Sequence, residues 1–353
     1  MNLDDVGHFH ELDTQDMLSE INGLPDQLQA AWELGATLPL PRMEPIHLVV
    51  VAGMGGSAIG ADLLAAYAAP VLKTPLIVWR NYDLPAYAAG PGTLVIALSH
   101  SGDTEETISA FESGYQSGAR VLALTTGGQL AQKAVDYGVP LWRFAHVGQP
   151  RAAVGYSFGL LLAVLHRLGI MPDPSAELTD AVFEMRTQQA SFLAETPVVQ
   201  NLAKQMAGRL IERWPTVLGA GLLAPVARRW RTQISEIAKA VGQYEELPEA
   251  DHNMLAGTQY PEALIRRSIM VFLRASSEHP RHALRTDLTR EILQVQGFDT
   301  DVIESQGNTR LAQQWTCLHF GDYAAFYLAM AYGVDPTPVH SIEAFKVRMK
   351  AVL

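Results

Sequence analysis

Residues 46–60 read IHLVVVAGMGGSAIG, an apolar run that passes through a glycine-rich turn directly into a helical pattern. This order of strand, glycine turn and helix is typical of the first unit of a parallel α/β sheet. The alternation continues to residue 168, with strands predicted at 46–52, 76–79, 93–98, 121–125 and 141–144 and helices at 58–69, 104–116, 129–136 and 155–168. It predicts a doubly wound sheet of five parallel strands.

The same alternation returns after residues 169–175, GIMPDPS, whose two prolines are typical of a connector. Strands are predicted at 216–220, 268–274 and 301–304, and helices at 178–194, 199–213, 224–241, 281–296 and 311–332. A helical segment at 17–34 precedes the first strand. We therefore expect an α/β protein with two doubly wound parallel-sheet domains and flanking helices, divided into residues 1–40, 41–172 and 173–353.

The composition is that of a globular protein and excludes several classes of partner. The 353 residues carry 26 Lys and Arg against 37 Asp and Glu, a net charge of −11, so we expect no nucleic-acid partner. The most apolar tract, 155–165, is shorter than the roughly 18 residues that a membrane span needs. Residues 1–13 have no basic and apolar leader, and the one cysteine, Cys317, lies in an apolar helical pattern. We expect a soluble protein of the reducing cytoplasm, with Cys317 buried.

The glycine turn at 53–60 presents backbone N–H groups and a helix N-terminus, which together favour an anion. Gly53, Gly55 and Ala58 also match the dinucleotide pattern G-x-G-x-x-A. That pattern requires an acid at the end of the next strand to bind a ribose, whereas the strand predicted there is followed by Arg80. A nucleotide site and a purely structural turn remain open as alternatives at this point.

A second loop follows the strand predicted at 93–98 and reads SHSGDTEET over residues 99–107. Ser99, Ser101 and Thr104 offer hydroxyl donors, and backbone N–H groups at the helix start add others, a set that suits a phosphate monoester. A helix cap is the simpler alternative, but a cap uses one hydroxyl and not three. Neither loop contains a lysine or the G-x-x-x-x-G-K-[ST] pattern, so a nucleoside triphosphate is a poor candidate.

Together the two loops resemble the sugar isomerase domain family, whose members bind phosphorylated sugars through the serine and threonine loop. Further stretches narrow the resemblance to the bifunctional phosphoglucose/phosphomannose isomerases: PRAA at 150–153, ISEIAK at 234–239, HN at 252–253 and DPTPVHSIEAFK at 335–346. The resemblance covers the chain from about residue 45 to its end. It implies that both predicted domains are of the sugar isomerase type.

What the resemblance implies is an aldose–ketose isomerase that interconverts glucose 6-phosphate, mannose 6-phosphate or both with fructose 6-phosphate through a cis-enediolate. It implies Glu236 as the base and Arg151 as the cation beside the enediolate. It implies that His252 helps to open the sugar ring from the partner subunit of a homodimer, that Lys346 assists at the ring oxygen, and that Thr337 allows both C2 epimers. The residues implied in binding the phosphate end are Gly55, Gly56, Ser57, Ser99, Ser101 and Thr104. Neither a cofactor nor a metal is required for this reaction.

From the residues alone, each catalytic role has a plainer alternative. Glu236 lies opposite the apolar stripe of the helix predicted at 224–241, a position that suits a surface acid as well as a base in a cleft. His252 follows a run of acidic residues and could simply be attracted to their charges. Arg151 could form a salt bridge at a boundary, and Lys346 could complement the dipole of the last helix.

Three positions depart from the family pattern. Ser235 and Ile237 flank Glu236, and Asp103 lies in the second loop, where asparagines are usual. A carboxylate about 4 Å from a phosphate charge costs about 4 kcal/mol at an effective dielectric of about 20, unless it faces away. A sugar-phosphate-binding protein without activity is therefore the chief alternative function, and a nucleotide-dependent oxidoreductase is the second.

Overall fold

The structure is a computed structural model that describes residues 2–43 and 45–351. Three helices come first: α1 (Val6–Leu12), α2 (Met17–Asn22) and α3 (Leu24–Thr37). The first sheet unit follows as β1 (Leu48–Ala52), α4 (Gly55–Ala68), β2 (Leu76–Trp79), β3 (Thr93–Ser99), α5 (Glu105–Gln116), β4 (Arg120–Thr125), α6 (Gly128–Asp136), β5 (Leu141–Arg143) and α7 (Val154–Arg167). The five strands predicted for this half are confirmed, each to within two residues.

These five strands form one parallel sheet in the order β2-β1-β3-β4-β5. The neighbouring strands β1 and β3 lead outward in opposite directions across the sheet, which makes the crevice between their carboxyl ends the topological switch point. The two glycine-containing loops of the sequence leave β1 and β3 at this point. In a doubly wound sheet, ligands bind at that crevice.

The second half forms a separate parallel sheet of four strands in the order β7-β6-β8-β9. Its elements are α8 (Ser175–Gln189), α9 (Leu202–Leu210), β6 (Trp214–Ala220), α10 (Ala224–Glu236), β7 (Gln243–Leu247), α11 (Glu262–Ile265), β8 (Ser268–Arg274), α12 (Pro280–Val295), β9 (Asp299–Glu304), α13 (Arg310–Tyr332) and α14 (His340–Ala351). The fold class is therefore α/β with two parallel sheets, as predicted.

Three sequence predictions were wrong in detail. The helix predicted at 17–34 is divided at Gly23 into α2 and α3. The helix predicted at 224–241 ends at Glu236, and the carboxylate-rich loop predicted after it contains the strand β7. Because β7 lies at the edge of its sheet, most of it is partly exposed, and its acids break the apolar pattern by which strands are recognised.

Two long apolar helices form the centre of the molecule. α7 is buried over most of its length and packs against α3 and α4, as its apolar sequence predicted. α13 is buried from Leu311 to Met330, and the amide of its Gln314 donates to the carbonyl oxygens of Leu63 (3.0 Å) and Leu222 (3.1 Å), one from each half of the chain. Cys317 on this helix is buried, as predicted.

Across the described residues, no helix combines the length and the apolar character needed to cross a membrane.

Candidate functional site

The first loop is shaped by two glycines at the start of α4. Gly55 opens α4 with φ +50°, a left-handed conformation that favours glycine. A Cβ on Gly56 would lie 2.4 Å from the carbonyl oxygen of Pro150. The start of α4 therefore touches the backbone of a short 3₁₀ turn, Pro150–Ala152, that carries Arg151. Ser57, one residue further into α4, is buried.

The second loop holds its hydroxyl groups close together beyond the end of β3. The hydroxyl oxygens of Ser99 and Thr104 are 2.9 Å apart, and the Ser99 hydroxyl also accepts from the backbone N–H of Gly102 at 3.1 Å. Gly102 has φ +75°, and a Cβ there would lie 1.8 Å from the carbonyl oxygen of Gly127. The hydroxyl of Ser101 accepts from the N–H of Asp103 at 3.2 Å. The Ser99 and Thr104 hydroxyls thus lie together where the second loop leaves β3, at the switch point of the sheet.

The loop does not cap α5, the helix that it opens. Thr104 occupies the N-cap position of α5, and its side chain makes no capping hydrogen bond there. Asp103 turns instead to the neighbouring helix α6, where its Oδ1 accepts from the N–H of Gln129 at 3.0 Å. This bond holds one oxygen of the Asp103 carboxylate at the start of α6.

Arg151 connects the first loop to the second half of the chain. Its side chain is 4% exposed, and its Nη1 lies 3.6 Å from Oε2 of Glu236, the last residue of α10. Its Nη2 donates to the carbonyl oxygens of Pro336 (2.9 Å) and Thr337 (2.5 Å). The structure therefore brings together three residues that are far apart in sequence and that were predicted to share a site: Arg151, Glu236 and Thr337.

Three buried polar atoms in this region have no hydrogen-bond partner within the described part of the chain: Nε of Arg151, Oγ1 of Thr337 and Oγ1 of Thr107. A buried donor without a partner costs free energy, so such atoms mark places where a ligand or water completes the bonding. Thr107 lies on the first turn of α5 and was not among the predicted site residues. Its signal in the sequence was its position: Thr107 is the fourth serine or threonine of the loop and lies three residues after Thr104, at helical spacing.

A buried ion pair lies behind Arg151. Arg229 on α10 and Asp322 on α13 are almost fully buried, with 2.6 Å between Nη2 and Oδ2. The same Nη2 donates to the backbone carbonyl oxygen of Arg151 at 3.1 Å. Arg229 was not among the predicted site residues. The missed signal was Asp322, a single acid within a long apolar helical pattern, since a buried carboxylate requires a partner.

Lys239 completes the charged group at the end of α10. It has φ +56°, and its Nζ donates to the carbonyl oxygens of Glu236 (2.5 Å) and Pro336 (3.1 Å). Desolvation, and then the positive charge of Arg151, lower the pKa of Lys239 to about 8. The ammonium of Lys239 thus binds the backbone of Glu236.

Two of the predicted site residues are not brought to this group. His252 ends a 3₁₀ turn, Glu249–His252, and is exposed, and Lys346 is exposed on α14. Among the described residues, no hydrogen bond or ion pair joins either side chain to Arg151 or Glu236. The acid next to His252, Asp251, accepts from Arg285 at 2.7 Å and from Thr289 at 2.8 Å instead.

Comparison with known proteins identifies relatives over nearly the whole chain. Residues 199–349 match the family described as the bacterial phospho-glucose isomerase C-terminal SIS domain. A bifunctional phosphoglucose/phosphomannose isomerase of Caldicellulosiruptor bescii is 36% identical over 338 residues, which cover 95% of this chain and 99% of that protein. A protein of the same name from Aquifex aeolicus is 32% identical over 313 residues, 87% of this chain and 92% of its own.

Solved structures share the arrangement of the two sheets. The crystal structure of a glucose-6-phosphate isomerase like protein from Thermus thermophilus superposes with a TM-score of 0.63 at 21% sequence identity. The superposition covers 96% of this chain and 98% of the other. At this identity the likeness establishes the fold.

Proposed function

Since the chain belongs to the bifunctional phosphoglucose/phosphomannose isomerase family, we propose that it interconverts glucose 6-phosphate, mannose 6-phosphate or both with fructose 6-phosphate. The contact between Arg151 and Glu236, 3.6 Å apart beside the glycine loop, carries the proposal. It places a carboxylate next to a cation at the mouth of an anion-binding crevice. That combination suits proton transfer on a substrate whose phosphate is held nearby.

The phosphate is bound without a lysine in either loop. Ser57, Ser99, Ser101 and Thr104 donate their hydroxyl protons to its oxygens, and backbone N–H groups at Gly55, Gly56 and the start of α5 add further donors. The oxygens of Ser99 and Thr104 are 2.9 Å apart, so one hydroxyl donates to the other, and the accepting hydroxyl keeps its hydrogen for the ligand. Each hydrogen bond to such a charged acceptor contributes roughly 1.5 to 3 kcal/mol.

Glu236 acts as the base in the proposed reaction. In the aldose to ketose direction its carboxylate takes the proton from C2 of the open-chain sugar, which gives an enediolate across C1 and C2. The resulting carboxylic acid returns that proton to C1, while a proton moves from O2 to O1. The guanidinium of Arg151 stabilises the negative charge that develops on the enediolate oxygens. The hydroxyl of Thr337, which is buried without a partner among the described residues, contacts the sugar.

His252 and Lys346 act at the ring oxygen before isomerisation. Both are exposed and separate from Glu236 within one copy of the chain, so the complete site requires a second subunit. We therefore propose a homodimer in which His252 of the partner subunit reaches the site.

The surface of α12 supports this assembly. Leu284, Leu288, Ile292 and Val295 are 43%, 49%, 44% and 83% exposed and follow one another at helical spacing on one face. An exposed apolar stripe of this kind marks a protein interface. Asp251 binds Arg285 and Thr289 of the same helix, which attaches the turn that carries His252 to α12.

A coupled assay for fructose 6-phosphate turnover tests the function, and the Glu236→Gln variant tests the base. A positioned base contributes roughly 10² to 10⁴ in rate, so we expect turnover of the variant to fall by at least that factor. Binding of hexose 6-phosphates should persist, because the phosphate loops are unchanged. It is measured as the rise in melting temperature on adding fructose 6-phosphate.

Two results would contradict these assignments separately. Full turnover by Glu236→Gln would exclude Glu236 as the base. A wild-type protein that is stabilised by fructose 6-phosphate but never isomerises it would be a non-catalytic sugar-phosphate-binding protein.

A further inference from the structure

Three side chains form a hydrogen-bonded chain from the N-terminal helices to the second loop. Nε2 of His100 is 2.9 Å from Nδ1 of His146, and Nε2 of His146 is 3.1 Å from Oε2 of Glu20 on α2. His146 is 7% exposed and Glu20 is 25% exposed. His100 lies between Ser99 and Ser101, two of the hydroxyl residues of the loop. None of the three residues has a part in the proposed chemistry.

The direction of one of these hydrogen bonds follows from the chemistry of the groups. A carboxylate can only accept, so Nε2 of His146 carries a proton and donates to Glu20. Between His146 and His100, one ring nitrogen donates and the other accepts. Desolvation, and then the neighbouring His146, lower the pKa of His100 to about 4, so His100 is neutral at neutral pH. Glu20 thus sets the orientation of both rings.

The backbone of His100 is held from the opposite side. Its carbonyl oxygen accepts from the backbone N–H of Thr126 at 3.2 Å and from the hydroxyl of Thr126 at 2.7 Å. The ring also packs against Phe144, with 6.0 Å between the ring centroids. His100 is fixed at its ring and at its carbonyl oxygen. The neighbouring residues Ser99 and Ser101, whose hydroxyls are the proposed phosphate donors, are therefore fixed as well.

We propose that Glu20, acting through His146 and His100, positions the phosphate-binding loop, so that the N-terminal helices are part of the substrate site. The inference rests on the proposed function, in which residues 99–104 bind the phosphate. Glu20 and His146 are positioning residues, because they act on the substrate only through the backbone at His100.

Attachment of α2 to the molecule does not depend on Glu20. The carbonyl oxygen of Ile21 is 2.8 Å from Nε2 of His319, and the side chain of Asn22 accepts from the hydroxyl of Tyr323 at 2.5 Å. Both bonds reach the buried helix α13. The hydrogen bond from His146 to Glu20 therefore adds little to the attachment of α2. Its removal should leave the fold intact.

The test measures KM, kcat and the calorimetric dissociation constant of fructose 6-phosphate for Glu20→Ala and His146→Ala. Loss of one hydrogen bond to a charged group should raise KM and the dissociation constant about tenfold. We expect kcat to change less than about twofold, since Glu236 and Arg151 are untouched. Glu20→Gln should restore most of the affinity, because the amide oxygen can still accept from His146.

A double variant and a matched control separate positioning from general damage. If the three groups form one chain, Glu20→Ala has no further effect when His146 is already alanine. Asp26→Ala removes an exposed ion pair with Arg186 from the same N-terminal segment and should leave affinity unchanged.

Three results would each overturn the inference. They are an unchanged affinity for fructose 6-phosphate in Glu20→Ala, additive effects in the double variant, and an equal loss of affinity in Asp26→Ala. A wild-type protein that binds fructose 6-phosphate without turnover overturns the proposed function alone, because the binding measurements on the variants still decide the role of Glu20. A wild-type protein that does not bind it overturns both.

Discussion

His319 lies on α13 with none of its surface exposed, and its Nε2 is 2.8 Å from the carbonyl oxygen of Ile21. Burial lowers the pKa of His319 to about 4, and the charge of Arg229 acts in the same direction. The unfolded chain, in which histidine has a pKa of about 6.5, therefore binds a proton that the folded protein excludes. Part of the stability at acid pH therefore depends on this buried ring.

We expect the contribution of His319 to the free energy of unfolding to be fully present above about pH 6.5. It is lost as the pH falls towards 4, with a slope of at most about 1.4 kcal/mol per pH unit. Urea unfolding of wild-type protein and His319→Gln between about pH 7 and 4.5 measures this, and the variant should have the shallower slope. Equal slopes in the two proteins would contradict the prediction, because other groups contribute equally to both.

Candidate residues could be named from the sequence only where the chemistry is local. The hydroxyl residues of the second loop and the glycines of the first were recognised from their neighbours in sequence, because turn geometry and hydroxyl donors are local properties. The direction of Asp103 could not be predicted, because it depends on Gln129 at the start of α6, 26 residues away. The pairing of Arg229 with Asp322, 93 residues apart, was beyond sequence reasoning for the same reason.

Among the elements, the contact between α4 and the turn that carries Arg151 controls the geometry of the site. Gly56 belongs to α4, and its backbone approaches that of the turn so closely that a Cβ would lie 2.4 Å from Pro150 O and 3.2 Å from Arg151 Cα. Neither contact involves a flexible side chain, so any larger residue must move the turn.

Gly56→Ala is expected to displace Arg151 and to lower kcat by a factor on the order of 10², since misplacement by about 1 Å has effects of that size. The control is Gly208→Ala on α9, where a Cβ meets nothing within 4 Å. That variant should keep wild-type turnover and gain roughly 0.5 to 1 kcal/mol of stability. Steady-state kinetics and thermal unfolding of both variants check the expectation. Wild-type kcat in Gly56→Ala would show that the turn can move without consequence.

The end of α10 shows why element boundaries were harder to predict than element types. Ile237 and Ala238 are buried and continue the apolar spacing of the helix. The helix nevertheless stops at Glu236, and Lys239 adopts φ +56° with its ammonium on the carbonyl oxygens of Glu236 and Pro336. The acceptor at Pro336 belongs to a segment about 100 residues away. The hydrophobic periodicity within 224–241 therefore could not show that the helix ends at Glu236.

For the whole molecule, the exposed stripe on α12 predicts the quaternary structure. Leu288 lies at the middle of the stripe and is 49% exposed, so Leu288→Asp places a charge in an interface without disturbing a core. We expect wild-type protein to be a dimer by light scattering and Leu288→Asp to be a monomer with little turnover, since His252 would no longer reach a second site.

The matched control is Val135→Asp on α6, an aliphatic residue that is 66% exposed on a helix of the first sheet unit. It should remain dimeric and active. A monomeric wild-type protein, or a dimeric Leu288→Asp, would argue against α12 as the interface. The division into residues 1–40, 41–172 and 173–353 remains a prediction at this scale, because the central helix α13 packs against helices from both halves.

The sequence by itself determined the class of the fold, the strands of the first sheet and the two loops at its switch point. These depend on hydrophobic periodicity, glycine conformation and hydroxyl chemistry, which act between residues a few positions apart. Only the tertiary structure decided that Arg151, Glu236 and Thr337 meet, and that Glu20 is linked to the second loop. Such contacts join segments more than 80 residues apart, and their energies depend on burial and direction, which a linear pattern does not contain.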